Sequence, residues 1–140
     1  MNSAKSSPEP PAKSIIRWTA VAVWMILIFL GSSLPGRDIP DAPKLVSILV
    51  HFTEFFIFTI LLVWAINKRL SNPIDPASSI SAFIVAAFYG VFDELHQVYV
   101  PGRVPDMLDL FTDSMGAFTA VLFVSLLAAV RKRHSSRKSE

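Results

Sequence analysis

Cysteine is absent from the 140 residues. That excludes a disulfide framework, a thiolate nucleophile and any thiolate metal site. Charge is scarce as well: 17% of the chain is charged and 52% is hydrophobic, whereas soluble globular proteins carry roughly 25% charged residues. So apolar a composition does not fit an ordinary soluble domain. The basic residues sit at the chain ends and in short turns, with no aromatic side chains interleaved among them, so nucleic acid is not an expected partner. No metal-ligating spacing such as HExxH occurs, and no serine stands in a recognisable nucleophile turn, so neither a metal nor any other cofactor is assigned.

What the chain does have is four long apolar runs, at residues 15–34, 45–66, 80–99 and 106–130. Twenty residues of helix cover about 30 Å, the thickness of a bilayer core. The expected fold is therefore all-α: an integral membrane bundle of four transmembrane helices arranged as two hairpins. Residues 1–14, with prolines, serines and no apolar period, are expected to be a disordered leader, residues 15–130 the membrane domain, and residues 131–140 a basic tail. The first run could instead be the core of a signal peptide, with Gly31, Ser32 and Ser33 as small residues for cleavage; its length favours a retained span.

Lysine and arginine set the expected orientation. Alternation of the spans puts Lys5, Lys13, Arg17, Lys68, Arg69, Arg131, Lys132, Arg133, Arg137 and Lys138 on one side, and only Arg37, Lys44 and Arg103 on the other. Both termini and the Lys68-Arg69 turn are accordingly expected in the cytoplasm. The two proline-rich turns then face outward. They resemble each other, Pro35-Gly36-Arg37 and Pro101-Gly102-Arg103, either as common turn chemistry or as the trace of a duplicated hairpin.

The apolar runs are interrupted by ionisable side chains, each costing roughly 2.5–3.5 kcal/mol if it faced lipid near a helix centre. They must face one another or water. Counting about 1.5 Å per residue from the outer turns puts His51, Glu54, Asp93 and Asp113 in one layer. On the third run Asp93, His96 and Gln97 share a face, with Glu94 at its edge, and that face continues inward as Gly90, Ala86 and Ala82. On the fourth, Asp109 and Asp113 continue as Gly116 and Ala120. Small residues four apart let membrane helices approach closely, so the polar faces are expected to point into the bundle, with Phe58 packed between the third and fourth helices. Asp106, after a proline, is expected to cap the fourth helix. Arg103 is the nearest cation in sequence, expected to pair with a carboxylate of the cluster or to meet a phosphate from outside.

Two stretches carry a family likeness: His51-Phe52 with Glu54, and Asp93-Glu94-x-x-Gln97 followed by Pro101-Gly102-Arg103, Asp109 and Gly116. With them the chain resembles the VanZ-like family of small bacterial membrane proteins, whose founding member is associated with teicoplanin resistance. The family often has a lysine where this chain has Ile48, an asparagine at Asp113 and a tyrosine at Phe55, so the roles of those side chains do not transfer. The resemblance implies a multi-pass protein of the cell envelope, in the bacterial cytoplasmic (inner) membrane, without a settled activity.

The expected ligand-binding set is His51, Glu54, Asp93, Glu94, Gln97, Arg103, Asp109 and Asp113, with Arg37 and Arg103 at the rim of a polar pocket that takes an anionic lipid or a lipid-linked wall precursor. If chemistry occurs, Asp93 or Glu94 would serve as base and His51 or His96 as proton partner, in a hydrolase or transferase acting on such a lipid. A proton-coupled transporter is the third reading, though all the charges lie in the outer half of the bilayer and its inner half is apolar, which offers no continuous path. Oligomeric state is not legible.

Overall fold

A computed structural model describes residues 11–38, 43–67 and 74–137. They form four helices, α1 Pro11–Ser32, α2 Lys44–Asn67, α3 Pro76–Gln97 and α4 Met107–Arg137, with a short 3-10 turn at Gly36–Asp38. All four are long and apolar enough to cross a membrane. The expected all-helical bundle of four spans is what the chain forms.

The ends differ from the apolar runs for local reasons. Helix α1 begins at Pro11, ahead of the run, with proline in the first turn where its missing N–H costs nothing. Helix α3 begins at Pro76 rather than at Ile80, because Asp75 caps it: the carboxylate accepts from the Ala77 and Ser78 amides, and Pro76 occupies the first helical position. Helix α4 continues through the basic segment to Arg137 instead of stopping at Val130. The leader up to Pro10, residues 39–42, residues 68–73 with the Lys68-Arg69 turn, and residues 138–140 lie outside the described residues.

Helix α2 is the centre of the bundle. It packs most extensively on α4 and also meets α1 and α3, whereas α1 touches α2 and, lightly, α3 but not α4. The α2/α4 seam is close because Gly116 has no side chain: a Cβ there would run into the Phe52 carbonyl. Ala117 and Ala120 continue the seam, fully buried. On α3 the stripe Ala82, Ala86 and Gly90 is likewise buried, as the spacing predicts. Phe55, Phe58, Leu62 and Val63 fill the interior, and Phe58 packs at 5.3 Å from the Tyr89 ring of α3. In lipid such packing is held by dispersion rather than by expulsion of water. The outward faces stay apolar, with Phe88 72% and Leu126 65% exposed.

Helix α1 is tied to the rest by side-chain hydrogen bonds. The Trp24 indole donates to the Glu54 carbonyl at 3.0 Å and the Tyr89 hydroxyl to the Met25 carbonyl at 2.7 Å. The two Pro-Gly-Arg turns meet at one end of the bundle. The Gly36 amide donates to the Pro101 carbonyl at 3.0 Å, and a Cβ on Gly36 would overlap the Gly102 carbonyl. Gly102 itself sits at φ 77°, where a side chain is strained.

Candidate functional site

Three helices deliver titratable side chains to one layer beneath these turns. His51 of α2 is the hub. Its Nδ1 stands 3.0 Å from Oδ1 of Asp113, and its Nε2 3.7 Å from Oδ2 of Asp109. Asp113 is fully buried, and the missing side chain of Gly90 makes the room: a Cβ there would lie 3.2 Å from Asp113 Oδ2. Glu94, 7% exposed, turns one oxygen toward the α3/α4 connection, where Oε2 accepts the Asp106 amide at 2.7 Å. Its Oε1 is buried without a hydrogen-bond partner.

Asp106 is the expected cap, its Oδ1 accepting from the Leu108 amide at 2.8 Å. Its other oxygen takes Lys44 Nζ at 2.6 Å, and the same ammonium reaches Asp109 Oδ1 at 2.9 Å. The hydrogen bond from Lys44, followed by that from the Leu108 amide, holds the Asp106 carboxyl below the usual carboxylate range. Lys44 is thus the cation of the cluster, and it was not among the expected site residues. The signal was available: Lys44 precedes His51 by seven positions, which at about 100° per residue returns it to the same face of α2.

Arg103 corrects the expectation of a structural pairing. Among the described residues it forms no ion pair, and its Nε is buried with no hydrogen-bond partner. Lys44 has taken the carboxylates nearest the α4 start, leaving the guanidinium on the other side of α2. There Arg103 lines a cavity of about 500 Å³ between α1, α2 and α3. The apolar wall comes from Ile28, Leu34, Val46 and Val50; the polar wall comes from His51, Glu54, Asp93, Gln97 and Arg103. Asp93 and Gln97 are buried one helical turn apart, Gln97 Nε2 donating to Asp93 Oδ2 at 3.1 Å.

The expected ligand set therefore divides in two. His51, Glu54, Asp93, Gln97 and Arg103 border the cavity, while Glu94, Asp109 and Asp113 gather behind His51 toward α4. His96 joins neither group. It lies about 60° round α3 from Asp93 and faces α1, its Nε2 2.9 Å from Ser33 Oγ and its ring 4.4 Å from that of Phe29. Arg37 is also displaced from its expected place: its side chain is 86% exposed, lies 3.7 Å from Asp38, and does not line the cavity.

Neither the curated proteins nor the solved structures provide a match. A family model does: the one described as VanZ/LLP1 matches residues 17–128, a stretch that begins in α1, ends within α4 and contains every polar residue of the layer. With most of its length inside that match, and with the membrane bundle that the likeness implied, the chain belongs to the VanZ/LLP1 family.

Proposed function

We propose that the chain binds the head group of an anionic lipid, or of a lipid-linked cell-wall precursor, in the cavity between α1, α2 and α3. The observation that carries this reading is the half-buried guanidinium of Arg103, which borders that cavity with its Nε shut off from solvent and unbonded, and with no carboxylate within ion-pair distance among the described residues. A buried donor left without an acceptor is unfavourable, and a phosphate oxygen pair matches the planar fork that carries it. The cavity is amphipathic in the sense such a ligand requires: acyl or prenyl carbons would lie along Ile28, Leu34, Val46 and Val50. Glu54, Asp93 and Gln97 add acceptors, so the head group that fits best carries hydroxyl, amide or ammonium donors beside its phosphate. Simple anions do not meet that pattern.

With both termini cytoplasmic, as the positive-inside count favours, the cavity opens to the outer leaflet of the bacterial inner membrane, where lipid-linked wall precursors are used. Through such a ligand the protein would influence glycopeptide susceptibility, teicoplanin included. The test is lipid retention. Wild-type protein extracted from membranes is expected to carry phosphatidylglycerol or a polyprenyl-phosphate-linked sugar into native mass spectrometry, and Arg103→Gln to lose it by about tenfold, the value of one charge-assisted contact. Equal retention by the two proteins would refute the reading, as would an unchanged teicoplanin response in cells carrying the variant.

A further inference from the structure

Behind the cavity lies a second cluster that shares only His51 with it. His51, Glu94 and Asp109, one from each of α2, α3 and α4, each offer a ligand atom within 4.8 Å of the other two. The pattern of hydrogen bonds around them is more informative than the clustering. Each of the three has one polar atom engaged by a neighbour and one left over. His51 Nδ1 is held by Asp113 at 3.0 Å, leaving Nε2, whose nearest carboxylate at 3.7 Å is beyond hydrogen-bond length. Asp109 Oδ1 is held by Lys44, leaving Oδ2. Glu94 Oε2 is held by the Asp106 amide, leaving Oε1, which is buried and unbonded.

A carboxylate on Nδ1 fixes the imidazole tautomer with its proton on Nδ1 and its lone pair on Nε2, the arrangement that outer-shell partners impose on ligating histidines. An isolated acidic group with a naked buried oxygen is costly, and a cation is the partner it calls for. We infer that His51, Glu94 and Asp109 form a binding site for one divalent transition-metal cation of the zinc or manganese class, held from behind by Asp113, Lys44 and the Asp106 amide. One nitrogen and two carboxylate oxygens suit those ions better than magnesium or calcium, which prefer oxygen alone. Three protein ligands leave at least one position open. The two ligand carboxylates balance the ionic charge, while Asp106 keeps Lys44 and Asp113 keeps His51 on Oδ1, its Oδ2 standing buried and unbonded beside Gly90. No spacing in the sequence announces the site because each ligand comes from a different helix.

The experiment uses full-length protein in detergent, stripped with a chelator and equilibrated with Zn²⁺ or Mn²⁺. Wild type is expected to retain about one equivalent, and Glu94→Gln and Asp109→Asn to lower the affinity by at least about tenfold; Asp113→Asn, which frees the imidazole tautomer, should cost about 10–100-fold. His134→Gln, in the exposed C-terminal turns of α4, is expected to bind as wild type does, which separates the site from a surface histidine. Should the variants fail to fold, the wild type still decides: pulsed paramagnetic resonance of bound Mn²⁺ is expected to reveal nitrogen from one imidazole. Retention near zero, retention indifferent to Glu94→Gln, retention lost in His134→Gln, or Mn²⁺ bound by oxygen alone would each overturn the assignment.

Discussion

His51 Nδ1 and Asp113 Oδ1 lie 3.0 Å apart across the α2/α4 seam, and the aspartate has no exposed surface at all. A charge buried so deeply cannot lose its partner cheaply. Asp113→Ala is expected to destabilise the bundle by about 3–5 kcal/mol, the range for breaking a buried pair. Crossed with His51→Ala, the two changes should fall short of additivity by at least about 1 kcal/mol in thermal or denaturant unfolding. Additive effects would mean that the two side chains are neighbours without coupling.

Lys44 and Arg103 are the two cations at this end of the bundle that reach the polar layer, and they do different things. Lys44→Met strips the cation from Asp106 and Asp109, for a loss of about 0.2–1 kcal/mol, because its side chain is half-exposed. Arg103→Met removes no ion pair and is expected to change stability by less than about 0.5 kcal/mol while depriving the cavity of its anchor. Unfolding curves of the two variants check the contrast. A larger loss in Arg103→Met would show that the guanidinium serves the fold.

That contrast also marks where the sequence was legible. The four spans and the polar layer follow from apolar run length and from helical depth and angle, because both quantities are properties of single helices. The stripes through Gly90 and Gly116 were readable for the same reason. Pairing between helices was not. Proximity in sequence suggested Arg103 for the carboxylates, whereas the ammonium that reaches them stands 62 and 65 residues away on a flexible stem. His96 was grouped with Asp93 on a face too broadly drawn, and a rotation of about 60° sufficed to turn it onto α1. Asp75-Pro76, an ordinary start signal, was passed over because the apolar run began later.

Gly116 sets the distance between α2 and α4. A leucine there would drive its side chain into the Phe52 carbonyl, and overpacking of this kind costs typically about 1–3 kcal/mol. Gly31 provides the comparison, with nothing near its absent Cβ. Gly31→Ala is expected to be neutral or stabilising by about 0.5–1 kcal/mol, since it removes a flexible residue from a helix. Melting temperatures in one detergent decide between the two sites.

Acid should act on the Lys44–Asp106 contact. Because the Asp106 carboxyl titrates lower in the folded protein than in the unfolded chain, its contribution is complete above the ordinary carboxylate value near about 4 and disappears as pH falls through the depressed folded value. Wild type is therefore expected to lose more stability between about pH 6 and pH 3 than Asp106→Asn does, which has no charge to lose. Parallel losses in the two proteins would mean that the carboxylate contributes nothing there.

The lack of native cysteine makes the orientation directly testable. Single replacements Arg37→Cys and Ser136→Cys place thiols at exposed positions near opposite ends of the bundle. An impermeant maleimide added to intact cells is expected to reach the first alone, and the second only after the membrane is opened. The reverse pattern would turn the cavity toward the cytoplasm.

Every carboxylate within reach of His51 from another helix, Glu94, Asp109 and Asp113, lies on a segment that the ribosome makes later. The first pair of spans must therefore enter the translocation machinery with a histidine and Glu54 that have no finished surroundings, and wait there until α4 arrives. Nascent chains stopped before Asp93 should accordingly be held at the insertion site or handed to membrane proteases, whereas chains released after α4 should escape both. Completion of the charged layer thereby becomes the checkpoint of biogenesis, read out as the half-life of truncated against complete chains.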